Sequence, residues 1–211
     1  MRADRAGFDA VSVNAPIPSP VARFGRLDYL RLKWRAVAML LLGRGAAAED
    51  ALGDILRAMP DDAYALASRS HVRAQRGATD LAIEDSRRLV AAHPKRSAAD
   101  WFNLAFMLEA RGDLDEAEPA FRGAIELDPK LDRAWYGLGL TLIRQRRFDE
   151  AIKALKRNTQ LQPMSPYGWY QLARVHMERS EPEETLKIIR HLKEFEPKVA
   201  AQLERETGLK A

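Results

Sequence analysis

Residues 101–163 read WFNLAFMLEARGDLDEAEPAFRGAIELDPKLDRAWYGLGLTLIRQRRFDEAIKALKRNTQLQP, one pattern written twice. The first copy carries Trp101, Leu104-Ala105, Leu108, Ala117, Phe121 and Pro129. The second carries Trp135, Leu138-Gly139, Leu142, Ala151, Leu155 and Pro163 at matching offsets. A third copy follows with Trp169, Leu172-Ala173, His176, Thr185, Ile189 and Pro197, in which His176 and Thr185 are departures. A fixed period of this length means that the chain is built from units, and every other feature has to be read by its place in the unit.

Outward from this stretch, prolines occur at Pro60, Pro94, Pro129, Pro163 and Pro197, with spacings of 34, 35, 34 and 34. Each follows an apolar helical pattern, and a proline cannot continue a helix, so five helix ends are marked. Upstream of each lies a second apolar-periodic segment, divided from the first by a turn signal. Gly77, Gly112 and the Gly43/Gly45 pair suit a left-handed helix C-cap. Ser180-Glu181-Pro182-Glu183 reads as an N-cap serine, a first-turn proline and a capping glutamate, and Asp113-Leu114-Asp115-Glu116 gives the same start signal. Each unit is therefore helix, tight turn, helix.

The copies before residue 98 are weaker. Residues 63–96 keep Leu66, Ser70, Gly77, Ala82 and Pro94 but lack the tryptophan. In the copy before them Ala48, Leu52 and Ile55 fit the second helix. Trp34, Val37, Ala38 and Leu41 fit the first only with a turn shortened by two residues, which leaves that register open. Pro119 stands six residues into a second helix, where a missing backbone donor is expected to kink the axis or displace the helix start.

These residues resemble the tetratricopeptide repeat family, over most of the chain from about 27 to 197. The resemblance implies an all-α fold, a right-handed α-solenoid of about five helix-turn-helix repeats. The expected organisation is a proline-containing arm over 1–26, an array over 27–197 and a capping helix over 198–211. The repeats divide near 27–62, 63–97, 98–131, 132–165 and 166–197. Small residues at Ala105, Gly139 and Ala173, and at Ala82, Ala117 and Ala151, would let paired helices approach closely, with tryptophans and leucines filling between them. One unit cannot bury its own apolar face, so stacking must supply the core.

Composition agrees and narrows the function. The chain has 211 residues, 46% apolar, 30% charged and only 8% aromatic, with no cysteine. A disulfide framework, a thiolate zinc site, a thiol nucleophile and a lipid-anchored N-terminal cysteine are excluded. The net charge of +4 is carried by residues 131–211, which hold 15 basic and 11 acidic residues. Interspersed charge of this kind reads as a solvated helical surface, and without interleaved aromatics the cluster Arg144, Arg146, Arg147, Lys153, Lys156 and Arg157 is not read as a nucleic-acid site. The run from 36 to 42 is far shorter than a membrane span, and the first residues show no secretory leader, so the expected location is cytoplasmic.

Enzyme signals are weak. Gly43-Arg44-Gly45 lacks the rest of a phosphate loop, and His71, His93, His176 and His191 form no pair at ligand spacing. The acidic pairs Asp115-Glu116, Asp149-Glu150 and Glu183-Glu184 recur in the first turn of a second helix, where they complement its dipole. No catalytic residue, metal site or cofactor is expected.

The resemblance also implies which positions face the concave groove, namely those on the first helix of each repeat. These are Phe102, Asn103, Phe106 and Glu109, then Arg133, Tyr136, Leu140 and Arg144, then Tyr167, Tyr170, Gln171 and Arg174. Aromatic rings with arginines suit an extended or helical acidic-apolar peptide of a protein partner. The chaperone-binding clamp of that family is not expected, because Lys33, Asn103 and Arg133 do not complete it. The expected function is a non-enzymatic adaptor that binds a peptide in its groove. The alternatives are a self-assembling, homo-oligomeric scaffold, motivated by the apolar segment 27–42 and the arm, and an accessory recruitment subunit of an enzyme or secretion system.

Overall fold

The computed structural model describes residues 24–211; of the proline-containing arm, residues 1–23 lie outside the described part. Eleven helices and no strand occur among the described residues. They are α1 (Arg26–Leu41), α2 (Gly45–Ala58), α3 (Ala63–Gln75), α4 (Thr79–Ala92), α5 (Ala98–Arg111), α6 (Leu114–Leu127), α7 (Asp132–Arg144), α8 (Phe148–Leu161), α9 (Pro166–Glu178), α10 (Pro182–Phe195) and α11 (Pro197–Thr207). Each odd-numbered helix packs on the even-numbered one after it, each even one packs on the next odd one, and α11 closes the array against α9 and α10. The described residues form an all-helical solenoid of five hairpins and a cap.

The pairing is set where two backbones come nearest. Ala105 and Ala117, Gly139 and Ala151, and Ala36 and Ala48 have the twelve-residue spacing of the bonded pairs Ser70–Ala82 and Ala173–Thr185, and the alanines among them are fully buried. A Cβ on Gly139 would stand 2.7 Å from Leu155 Cδ2, so a larger residue there would have to displace that side chain. Where a hydroxyl replaces the small apolar residue, a backbone carbonyl across the hairpin receives it. Ser70 Oγ donates to the Ala82 carbonyl at 2.9 Å, and Thr185 Oγ1 to the Ala173 carbonyl at 3.1 Å. Each buried hydroxyl is thereby paired, and the departure at Thr185 is explained. His176, the other departure, is buried with its Nδ1 2.7 Å from a Glu181 carboxylate oxygen.

The two sequence marks of the repeat are bonded to each other. The indole N–H groups of Trp101, Trp135 and Trp169 donate to the carbonyls of Pro94, Pro129 and Pro163 at 2.8, 3.0 and 2.9 Å. Each tryptophan is half-buried, presenting an apolar body to the core and its polar edge to the incoming loop, as aromatic residues with a donor commonly do. The tryptophan thus fastens the end of one repeat to the start of the next.

All five hairpin turns share one construction. A backbone N–H two or three residues past the helix end reaches back across six residues: Arg44 to Met39, Ala78 to Arg73, Asp113 to Leu108, Arg147 to Leu142 and Glu181 to His176. That bond requires a left-handed residue, and Gly43, Gly77 and Gly112 supply it. In the last two turns Arg146 and Ser180 hold φ of 60° at the same place. Ser180 is therefore the left-handed turn residue and Glu181 the N-cap of α10, which corrects the reading of Ser180 as the cap. Gly45 likewise begins α2 rather than ending α1.

Two further expectations change. The first turn has the same three residues as the second, so it is not shortened. The residue that occupies the close-contact position in α1 is Ala36, fully buried, whereas Trp34 lies two residues off register and is 68% exposed. Pro119 neither ends nor displaces its helix, because α6 keeps the 14-residue length of α4, α8 and α10. Pro119 and Asp115, four residues before it, are both exposed, so water can satisfy the carbonyl that the missing N–H leaves free.

Charged ladders join successive repeats. In the last three repeats the residue before the left-handed turn position reaches back to an aspartate of the preceding second helix, Arg111 to Asp80 at 2.7 Å, Gln145 to Asp115 at 3.3 Å and Arg179 to Asp149, and in the second repeat Arg76 reaches Glu49. Arg87 and Arg122 reach forward to Glu116 and Glu150. Two of the three recurring acidic pairs, Asp115-Glu116 and Asp149-Glu150, thus stitch repeats together as well as facing helix dipoles, whereas Glu184 pairs with Lys187 of its own helix. Burial works against ionisation of Glu118, but hydrogen bonds from Arg147 and Arg122 outweigh it and hold the carboxyl below its ordinary range. Between the first two repeats the network goes inward: buried Asp85 accepts from Arg69 at 2.6 and 2.9 Å and from Arg73 at 2.9 Å, and Arg73 also binds Glu49.

Substitutions at two positions test this construction by thermal unfolding. Trp135→Ala, which removes both the apolar body and the bond to Pro129, should cost about 3 kcal/mol, whereas Trp135→Phe should cost less. Ser180→Gly should raise stability by up to about 1 kcal/mol, because glycine takes a left-handed conformation without the Cβ penalty; a lower melting temperature would show that the turn is built differently.

Candidate functional site

From the third repeat onward successive first helices touch one another: α5 meets α7, α7 meets α9 and α9 meets α11, with no comparable contact between successive second helices among the described residues. The first helices therefore line the inner, concave side, and the second helices the outer side. Helical spacing then decides which side chains look inward, since residues three and four apart share a face.

On α5 the ring of Phe102 stacks on that of Phe106 at 6.2 Å and tilts against Phe121 of α6 at 6.1 Å. Phe102 is half-buried and so partly belongs to the core, while Phe106 is 58% exposed. From α7 the Arg133 guanidinium lies over the Phe102 ring, its Cζ 4.9 Å from the centroid. Asn103 is exposed and, with Phe106, His71, Asp100 and Met107, lines a cleft of about 220 Å³ between the second and third repeats.

A second cluster lies at the C-terminal end of the groove. Tyr136, half-buried, and Tyr167, 70% exposed, line a cleft of about 470 Å³ with Tyr170, Gln171, Val199 and Gln202. The Tyr170 hydroxyl donates to Glu206 of α11 at 2.7 Å and lies 3.4 Å from Gln202 Nε2. The bond to Glu206, with burial second, pushes the Tyr170 phenol up from its ordinary value. The Arg174 guanidinium sits 5.9 Å from the Tyr170 ring centroid.

The structure therefore sorts the ten residues of the expected groove. Phe102, Asn103, Phe106 and Arg133 form one group, and Tyr136, Tyr167, Tyr170 and Arg174 another. Leu140 on α7 is half-buried. Arg144 is engaged, since its Nη1 donates to both the Glu109 carbonyl and the Glu109 carboxylate at 2.7 Å. Arg133 and Arg174 are exposed and make no ion pair among the described residues. That leaves two cations held over aromatic rings and open to an incoming anion.

Residues of α11 and α3 complete the two clefts and lie outside the expected set. Val199, Gln202 and Glu206 follow the same helical spacing as the groove residues of α9, but in the sequence α11 reads only as a solvating cap. His71 at the other end is exposed. On the outer side, His176 and His191, fifteen residues apart in sequence, come to one cleft of about 500 Å³ with Lys156, Trp169 and Lys187. Among the described residues no group of three or more His, Asp or Glu is placed to hold a metal ion. The outer basic cluster is partly neutralised, as Arg147 pairs with Glu118 and Glu150.

The comparisons with known proteins bear on the repeat. The chain is similar in fold to a solved structure of MamA, at a TM-score of 0.75 and 18% identity over 87% of this chain and 97% of that one. It is similar to MamA 41-end from Desulfovibrio magneticus RS-1, at a TM-score of 0.71 and 17% identity over 88% and 99% of the two chains. YrrB, described as a TPR protein with an unusual peptide-binding site, aligns at a TM-score of 0.73 and 16% identity over 81% of this chain and 88% of that one. No curated protein matches the chain in sequence. The tetratricopeptide repeat family model matches residues 68–132, 102–163 and 136–187, which together span more than half of the chain. With the turns, the close-contact positions and the tryptophan-proline bonds in register, the chain belongs to the tetratricopeptide repeat family.

Proposed function

We propose that the chain is an adaptor whose concave face binds a segment of a partner protein, an extended or helical peptide rich in carboxylates and apolar side chains. The fold supports the general part, since a tetratricopeptide array is a protein-protein interaction module. The observation that carries the rest is the state of Arg133 and Arg174. Most other arginines from Arg69 to Arg179 have a carboxylate partner; Arg146, over Phe148 at a turn, and Arg157 on the outer helix α8 have none, and on the first helices Arg133 and Arg174 hold their guanidinium groups over Phe102 and Tyr170 without one among the described residues. Stacked in this way, a guanidinium keeps its donors free for bidentate binding of a carboxylate, and the rings beside it offer apolar contact at low entropic cost. YrrB supports the reading at the level of the fold.

The clefts of about 220 and 470 Å³ would each seat one side chain of the peptide, the first beside Phe106 and the second among Tyr136, Tyr167 and Tyr170. Partner and pathway follow from identifying that peptide. The test is cross-linking capture with mass spectrometry, comparing wild type with an Arg133→Glu, Arg174→Glu double variant. Partners that the wild type retains should fall by about tenfold or more with the double variant, as expected for loss of two desolvated charge pairs, and its melting temperature should be unchanged. Recovery of the same partners in the same amounts would overturn the reading.

A further inference from the structure

Of the twelve large apolar side chains that are exposed among the described residues, six fall between residues 27 and 42: Leu27 at 81%, Leu30, Trp34 at 68%, Leu40, Leu41 at 84% and Leu42. Leu27, Leu30, Trp34, Ala38 and Leu41 recur at the spacing of a single helical stripe. The stripe lies about 160° round the axis of α1 from Ala36, the residue that packs into the core. So α1 has two apolar faces, one facing α2 and one facing solvent.

Cations border the outer stripe on both sides. Arg31 and Arg35 follow it in one direction round the helix, Arg26 and Lys33 in the other. Arg26, Arg31 and Arg35 are exposed and make no ion pair among the described residues, and Lys33 rests over the Tyr64 ring at 4.2 Å. The one acidic residue of the helix, Asp28, is occupied in accepting from the Gly25 N–H at 2.9 Å.

We propose that α1 is a peripheral docking helix for an anionic lipid bilayer surface, lying flat with Leu27, Leu30, Trp34 and Leu41 in the interfacial layer and its arginines at the headgroups. An apolar stripe with a tryptophan, flanked by basic residues, is the pattern of a helix that lies in a bilayer interface. No helix among the described residues is long and apolar enough to cross a membrane, so α1 lies on the surface. A second copy of the chain fits less well, because two such stripes face to face would bring their bordering cations together. A partner helix seats in a groove between helices, yet none of the five clefts of about 220 to 680 Å³ described among these residues is lined by Leu27, Leu30, Trp34 or Leu41. A stripe at the outermost helix, standing clear of any of these clefts, suits a broad fluid surface.

Sedimentation of the full chain with vesicles tests this. Phosphatidylcholine vesicles containing about 30% phosphatidylserine should bind the protein, and pure phosphatidylcholine vesicles should bind it far less. The exposed double variant Leu27→Ser, Trp34→Ser should lower binding by about tenfold or more, with an unchanged melting temperature. Arg31→Gln, Arg35→Gln should lose the preference for anionic vesicles. Acrylamide should quench a tryptophan signal that is absent from Trp34→Phe, and anionic vesicles should shield it. The proposal is overturned if anionic vesicles do not bind the chain, or if binding is the same in both variants. It is also overturned if Trp34 is shielded before lipid is added, which would mean that residues 1–23 or a second copy already cover the stripe; light scattering then tells these two apart.

Discussion

The fold depends on how closely two helices of a hairpin can approach. A single hairpin of this length has apolar residues on two sides and can bury only one of them, so the other must be covered by the next hairpin. That next hairpin can be added in a fixed orientation only if every hairpin has the same internal geometry. Ala36, Ser70, Ala105, Gly139 and Ala173 secure this, each meeting a small residue or threonine across the pair. Larger side chains at those places would open each pair differently, and the array would lose its regular rotation. Where a hydroxyl enters, at Ser70 and Thr185, it binds a carbonyl already at hand, so spacing and polar pairing are satisfied together.

Given that geometry, the two surfaces differ in chemistry for a physical reason. The turns and the outer helices place arginines and carboxylates of adjacent repeats within reach, and they pair into ladders that neutralise one another. The first helices meet their neighbours along the inner side, where rings occupy the contact and few carboxylates are present. An arginine arriving there finds an aromatic face. Arg133 and Arg174 lie over rings and make no ion pair among the described residues, although the charge of Arg174 acts on nearby Glu206 of α11, while Arg144, at the far end of α7, finds Glu109 and is taken out of play.

Much of this architecture is legible in the amino-acid sequence. The prolines and tryptophans in phase define the hairpins because each has one dominant local effect, ending a helix or filling an inter-helix gap. Their mutual hydrogen bond is not legible there, since it depends on the direction of an indole edge across a loop. Trp34, the most conspicuous residue of α1, obscures the register of its helix. Burial shows that Ala36 sets the register, and Trp34 belongs to the outward stripe instead. Ser180 misleads for a related reason: a serine shortly before a proline resembles an N-cap, but the six-residue backbone bond from Glu181 to His176 needs a left-handed residue there. Of the groove, the residues on α5, α7 and α9 are those the family resemblance implies, whereas the part contributed by α11 emerges only once the cap is packed against α9.

The central claim is that the concave face, with its two ring-stacked arginines, is where a partner segment binds. Hydrogen-deuterium exchange of the full chain, with and without a saturating peptide recovered by the capture experiment, tests it most directly. The account requires new protection on α5, α7 and α9 and at the start of α11, with little change on α6, α8 and α10. Protection concentrated on the second helices, or confined to α1, would contradict it.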